Sequence, residues 1–374
     1  MKLNRRTIEA FDRIGALPDK PGAPSMKKLS LLLRPAFIAA PGKTLVWGDF
    51  SNIEARVLPW LAGSRGAEDK LDIFRKVDAD PNEPDVYVRT AAELLGFDAD
   101  ELWSWIKDKN HARHKEAKDA RQSHGKVPEL SLGFGGGVGA LMKMAVNYGV
   151  YLDEAVAARM VASWRDANGW AKSFWGAHGR NGSYGLWGAV NSAMEQPGTI
   201  MAAGRVAYVY DPTYLGGSLF CALPCGRLLT YPHIKWGWHE VTNKDTGEKE
   251  DRYDLTYMKG YGRKALWYGV FAENITQATA ASILRRTLKR LHYENGHYAP
   301  ERWLADICPV VMHTHDEAVT EPTEADWKLA ARELHHVMER NDEWDEGLPL
   351  AAELSQNWYY SKQIEGLHRS EYEQ

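Results

Sequence analysis

TLVWGDFSNIEARVLPWLAG (44–63) and PVVMHTHDEAVTEP (309–322) decide how this chain folds. In the first stretch an apolar, β-rich run carries Asp49 at its end, and a helical pattern follows. Ile53, Val57, Trp60 and Leu61 fall on one helical face. Ser51 and Glu54 stand at capping-box spacing, Gly63 fits the helix stop, and Pro59 predicts a bend or an early end. In the second stretch two short β runs flank His315-Asp316-Glu317, with proline on both sides, which predicts a tight hairpin. One aspartate therefore ends a strand and another sits in a turn. Aspartates in such places are most often caps or turn formers, so neither carries a function alone.

Outward from these stretches the chain is ordinary in composition. Its 374 residues are 44% hydrophobic and 26% charged, with a net charge of −4. That length allows two domains, or one large domain with insertions, and the composition excludes disordered, collagenous and disulfide-scaffold classes. No apolar run approaches the roughly 20 residues of a membrane helix. The basic N-terminus lacks a following apolar region, so no secretion signal is read. Cys221, Cys225 and Cys308 suggest no disulfide framework and point to a reducing cytoplasm.

The intervening segments read mostly as helix. Residues 17–26 (LPDKPGAPSM) form a proline-rich linker or loop, and 85–127 are helical and polar. Between 107 and 126 seven Lys/Arg stand against three acids, and this basic segment runs into LSLGFGGGVGALMKMA (130–145). Pro128 disfavours a straight helix from Lys126, because it removes one backbone donor. Residues 153–168 predict a helix with Val156, Met160 and Trp164 inward and Gly169 as its stop. The Gly-, Trp- and Tyr-rich stretch 169–240 predicts loops and short strands, with a turn at Cys225-Gly226. Residues 273–293 predict a helix with Leu284, Leu288 and Leu291 on one side. Another begins at Thr323, with Asp326 at capping-box position and Trp327, Leu334 and Val337 inward. The order is strand, helix, a large helical insertion, hairpin and helix, which predicts an α+β layer carrying an inserted helical lobe.

Carboxylates that end a strand and a hairpin turn can face one another across a sheet and share hard cations such as Mg²⁺. Two such ions, about 3.5–4 Å apart, serve phosphoryl transfer by stabilising both the attacking and the leaving oxygen. Lys126, at the end of the basic segment, suits a triphosphate as a point charge.

The order of these segments adds a resemblance. WGDFSNIEARVLPWLAG resembles motif A of family A (DNA polymerase I-like) DNA polymerases, RQSHGKVPELSLGFGGGVGAL resembles motif B, and VVMHTHDEAVTE resembles motif C. ENITQATAASIL resembles the palm helix that carries a glutamine near the primer-template junction. The resemblance covers roughly residues 28–360, and the glycine-rich end of motif B looks most like phage members. It implies an α+β right-hand polymerase: an antiparallel palm sheet with inserted helical fingers and no thumb. The implied parts are an N-terminal extension (1–43), palm with motif A (44–84), fingers (85–168), a palm insertion (169–260), and palm with motif C and the C-terminal helices (261–374).

The implied activity is template-directed addition of deoxynucleotides to a primer 3′-OH with two Mg²⁺ ions. Carried over, Asp49 and Asp316 bind both metals with the Phe50 carbonyl as an added ligand, and Glu317 supports them. Glu54 excludes a 2′-hydroxyl, Lys126 and Arg121 meet the triphosphate, and Phe134 stacks near the base. Arg56, Gln277 and His315 touch primer or template. The pattern departs in three places. Gln122 stands four residues before Lys126, where the family has an arginine, with Arg121 one position earlier; Pro128 interrupts motif B; and Phe134 replaces a frequent tyrosine. Only 48 residues precede Asp49, too few for a thumb. The expected partners are therefore primer-template DNA, deoxynucleotides and a second polypeptide with thumb and exonuclease, in the host cytoplasm if the chain is phage-encoded.

Other readings are weaker. A single-subunit RNA polymerase shares the palm, but Glu317 and Glu54 favour the DNA enzyme. A metallohydrolase built on Asp49, His313, His315 and Asp316 suffers because alternate strand residues point to opposite faces. A zinc module of Cys221, Cys225 and His233 lacks a fourth ligand. A catalytically degenerate DNA-binding or scaffold subunit would have no need of both aspartates and Lys126. GFGGGVG matches neither the dinucleotide fingerprint nor the P-loop.

Overall fold

The computed structural model places a strand at Leu45–Phe50 (β1) and a helix at Ile53–Ala62 (α1), the strand-then-helix order that the sequence predicts around Asp49. It describes residues 6, 9, 31, 33–176, 184–242, 248–362 and 364–373. The linker read at 17–26 lies outside the described residues. Next come helices α2 (Arg65–Ala79), α3 (Val86–Leu95), α4 (Ala99–Lys107), α5 (His114–Ala120), α6 (Val127–Leu132) and α7 (Val138–Asn147). They are followed by α8 (Glu154–Ala167), α9 (Gly169–Trp175) and α10 (Gly185–Glu195). Strands β2 (Met201–Ala203), β3 (Val206–Asp211), β4 (Ser218–Ala222), β5 (Leu228–Pro232), β6 (Lys235–Thr242), β7 (Lys249–Lys259) and β8 (Gly262–Leu266) lead to α11 (Tyr268–Tyr293). The chain closes with α12 (Leu304–Ile307), β9 (Val310–Thr314), β10 (Glu317–Thr320), α13 (Trp327–Glu339) and β11 (Ala352–Asn357). Strand pairing among the described residues is antiparallel, so the fold is α+β.

The chain divides into two compact units. Unit 1 holds Met1–Ile53, Ala280–Asp342 and Leu350–Gln374; unit 2 holds Glu54–Thr279 and Glu343–Pro349.

Unit 1 is built on a four-stranded sheet ordered β11-β1-β10-β9. β1 is central, paired from Val46↔Thr320 to Asp49↔Glu317 on one side and from Leu45↔Asn357 to Phe50↔Ala352 on the other. Its alternation separates two environments. Leu45 and Trp47 point into a buried cluster with Ala39, Val319 and Tyr360, and Trp47 meets the Tyr360 ring edge-on at 5.4 Å. Gly48 points the other way, where a Cβ would lie 2.4 Å from Met338 Sδ of α13. A larger residue there would have to displace the Met338 and Leu354 side chains. Asp49 thus emerges on the Trp47 face, at the end of a strand anchored on both sides. α13 begins at Trp327 rather than Thr323, and the Asp326 carboxylate pairs with Arg302 instead of capping the helix. The Thr323 hydroxyl takes the Asp326 N–H.

Unit 2 is held at its centre by Glu129, which is buried. Its Oε1 accepts from Lys70 at 2.8 Å, the Thr90 hydroxyl at 2.6 Å and the Trp164 indole at 3.1 Å, so one carboxylate ties together α2, α3, α6 and α8. Gly169 does not end α8. That helix stops at Ala167 with Asn168 as its cap, and Gly169 opens α9. Two helices, α9 and α10, occupy part of the stretch that reads as loops and strands. Buried Phe174, Trp175, Leu186, Trp187 and Val190 supply a packing gain that outweighs the weak helix propensity of their glycines. The turn at Cys225-Gly226 joins β4 to β5 as expected, with Gly226 at φ +79°.

Candidate active site

In unit 1, β1 carries Asp49 and the β9–β10 hairpin carries Asp316. The hairpin register pairs Thr314 with Glu317, so its loop is His315 and Asp316 alone. His315 adopts φ 51°, as the right-handed twist of a two-residue hairpin demands. The Phe50 N–H donates to the Asp316 carbonyl at 3.3 Å and fastens this loop to the end of β1. There the Asp316 and Asp49 carboxyls share a hydrogen bond. Burial, and then the charge of Asp49, push Asp316 up to about 6. His315 is exposed at the hairpin tip.

Glu317 lies directly across the sheet from Asp49 and is 1% exposed. The Lys362 ammonium forms ion pairs with both carboxylates. Burial works to lower the pKa of Lys362, but its bonds to Asp49 and Glu317 outweigh that effect and raise it. Tyr360 is raised to about 12, first by burial and then by its proximity to Glu317. Lys362 and Tyr360 were not singled out from the sequence, because they belong to none of the three motifs.

The donor chemistry fits a hard divalent cation. Mg²⁺ is held through one or two carboxylates completed by water and phosphate oxygens, so Asp49 and Asp316 suffice. Among the described residues no group of three or more His, Cys, Asp or Glu is set to hold a metal. Two acids in mutual contact, one held above its ordinary pKa, mark a concentration of negative charge that such a cation relieves. The four ligands of the metallohydrolase reading do not converge: His313 is exposed on β9, opposite Ala318. Nor do Cys221, Cys225 and His233 form a metal group. Burial raises the Cys221 thiol to about 12.

In unit 2 the motif B helix runs on past Lys126 but not as a regular α-helix. α5, a π turn at Arg121–Lys126 and α6 follow without interruption, and the Val127 N–H bonds to the Gln122 carbonyl five residues back. Pro128 sits in the first turn of α6, just past this wider turn, where its missing N–H costs least. The turn falls where the spacing departs from the family's pattern. A π turn has more residues per turn than an α turn, and it lies between Arg121 and Lys126. Gly125 makes the segment fit: a Cβ there would lie 2.0 Å from the Tyr87 carbonyl oxygen of α3.

Lys126 stands 5.5 Å from the centre of the Tyr148 ring. Arg121 donates from Nε to Asp85 Oδ2 at 2.7 Å, while Asp85 Oδ1 caps α3 through the Val88 N–H at 2.8 Å. Phe134 is not on the helix; α6 ends at Leu132 and Phe134 lies in the turn beyond it. Together with Glu54 and Trp164 it lines a small cavity.

Glu54 does not close a capping box, since the Ser51 N–H is bonded to the Ala351 carbonyl at 2.8 Å. Its carboxyl is held above the ordinary range by burial and, to a smaller degree, by Glu273, against the opposing effect of a hydrogen bond to Gln277. Glu54 and Gln277 are thus direct neighbours. Arg56 corrects the expectation of a DNA contact. It is 2% exposed, binds both Asp78 oxygens at 2.5 and 2.7 Å and lies over the Phe74 ring. Its guanidinium serves the interior of unit 2.

No family model matches the chain. It is 32% identical over 335 residues, 89% of its length, to a DNA polymerase of Bacillus phage SP02, and spans 44% of that relative. Its fold matches the polymerase domain of Pol1 from M. smegmatis, solved with DNA primer-template and dNTP, with a TM-score of 0.51 and 14% identity. That match covers 90% of this chain and 43% of the other. The chain is therefore similar in sequence to a phage DNA polymerase and in fold to a Pol1 polymerase domain, which bears out the resemblance its three motifs carry.

Proposed function

We propose that the chain is a polymerase core that adds deoxynucleotides to a primer 3′-OH under template direction. The observation that carries this reading is the hydrogen-bonded contact of Asp49 and Asp316, the acids of two motifs at opposite ends of the chain. Asp49 and Asp316 would hold two Mg²⁺ ions, with the Phe50 carbonyl adjacent as a further oxygen. Bound there, the ions would lower the pKa of the 3′-OH and neutralise charge on the transferring phosphoryl group. Glu317 stays buried and orients Asp49 from across the sheet. Lys126 takes the triphosphate, together with Arg121. Glu54 closes the space a 2′-hydroxyl would need, held in place by Gln277, and Phe134 offers a ring to the base. Gln277 and the exposed His315 are the groups assigned to primer and template. Positioning and charge are the main catalytic means, since phosphoryl transfer leaves little covalent work to the protein.

The chain spans under half of the phage relative. In this proposal a second polypeptide supplies a thumb and an exonuclease, and with them phosphate contacts that hold duplex DNA. Primer extension with Mg²⁺ and four deoxynucleotides, by the chain alone and with proteins encoded beside it, tests both parts. Extension that becomes processive only with a partner supports them. Processive synthesis by the chain alone removes the partner, and no incorporation under either condition removes the polymerase.

A further inference from the structure

We infer that Lys362 is a built-in cation of the acidic cluster, and that a divalent metal enters by displacing its ammonium from Asp49. This rests on the reading of Asp49 as a metal ligand. Three carboxylates, from Asp49, Asp316 and Glu317, gather at one end of the unit 1 sheet, and the Lys362 Nζ bridges two of them. An ammonium is a compact point charge with three donors, the closest protein equivalent of a small cation between carboxylates.

Its delivery is built into the fold. The Ala39 N–H donates to the Trp358 carbonyl at 2.9 Å and the Tyr360 N–H to the Phe37 carbonyl at 3.0 Å, which fixes the backbone just past β11. Tyr359, Tyr360 and Ser361 are buried, at 4%, 1% and 4% exposure. Lys362 follows at once, on a long flexible side chain that keeps 38% of its surface in solvent. The backbone is thus anchored while the ammonium can withdraw. Glu317, buried and opposite Asp49, remains as its partner when Asp49 turns to the metal. Lys362 is accordingly a positioning residue: it keeps the carboxylates together before metal arrives and sets the affinity at which metal enters.

The test is Mn²⁺ binding to the full chain, without DNA or nucleotide, followed by the electron spin resonance of free Mn²⁺. K362M is expected to bind Mn²⁺ about tenfold more tightly, while K362R stays near the wild-type value. A second readout needs no substitution: acylation of Lys362, mapped by mass spectrometry, should rise when Mn²⁺ saturates the wild-type chain. Mn²⁺ binding that is abolished by D49N but unchanged or weaker in K362M, or acylation indifferent to Mn²⁺, overturns this inference alone. Mn²⁺ binding absent from the wild-type chain, or retained in D49N, overturns the metal reading beneath it.

Discussion

Asp49 and Glu317 occupy directly opposed positions on neighbouring strands, and this one register pair determines where Asp316 lies. Because the hairpin loop has two residues, Asp316 immediately precedes the paired position and folds back over the end of β1. A slip of one residue would send Glu317 to the opposite face and carry Asp316 away from Asp49. The buried cluster of Trp47, Val319 and Tyr360 holds the register that the chemistry needs.

Glu54 makes a pH prediction. Its pKa is raised, chiefly by burial, so the native state binds more protons than the unfolded chain once pH passes the ordinary value of 4.5. Stability contributed by the protonated form is then lost as pH rises. E54Q, which keeps a bond to Gln277 without charge, should melt higher than wild type, by a margin that grows from pH 4 to 7. A margin independent of pH would contradict this. In primer extension E54A should admit ribonucleotides about 100-fold more readily relative to deoxynucleotides.

Gly125 permits the close packing of the motif B helix against Tyr87. G125A should destabilise unit 2 by about 1–3 kcal/mol, measured by chemical denaturation, because the clash is with backbone that cannot rotate away. Unchanged stability would show that the helix stands further off.

Lys126 and Arg121 separate by kinetics. K126A should raise the KM for deoxynucleotide by roughly 10–100-fold, the worth of a charged hydrogen bond. R121A should do the same to a smaller extent. D85N keeps a good helix cap while losing the charge that holds Arg121, and should leave KM unchanged or lower it. If D85N and R121A raise KM equally, the Arg121–Asp85 pair is structural.

What the sequence disclosed follows from which signals are local. Asp49 and Asp316 were legible because each ends a change of pattern, strand to helix or strand to turn, and motif order then linked them. The π turn was not, since nothing in the order of Arg121–Lys126 marks a wider turn, and Gly125 there packs against Tyr87, a residue distant in the chain. The DNA contact of Arg56 came from the resemblance of its motif, and nothing in that motif shows that Asp78, on the next helix, neutralises it internally. Lys362 gave no signal at all. Its role arises only when the strand pairing of β1 brings its carboxylate partners together.

The central claim is that Asp49 and Asp316 act on an incoming nucleotide, and single-nucleotide incorporation on primed DNA measures this most directly. With Mg²⁺ and any partner present, D49N and D316N should each lose at least about 1,000-fold in rate, while DNA affinity and thermal stability stay near wild type. Incorporation by either variant at close to the wild-type rate would contradict the account.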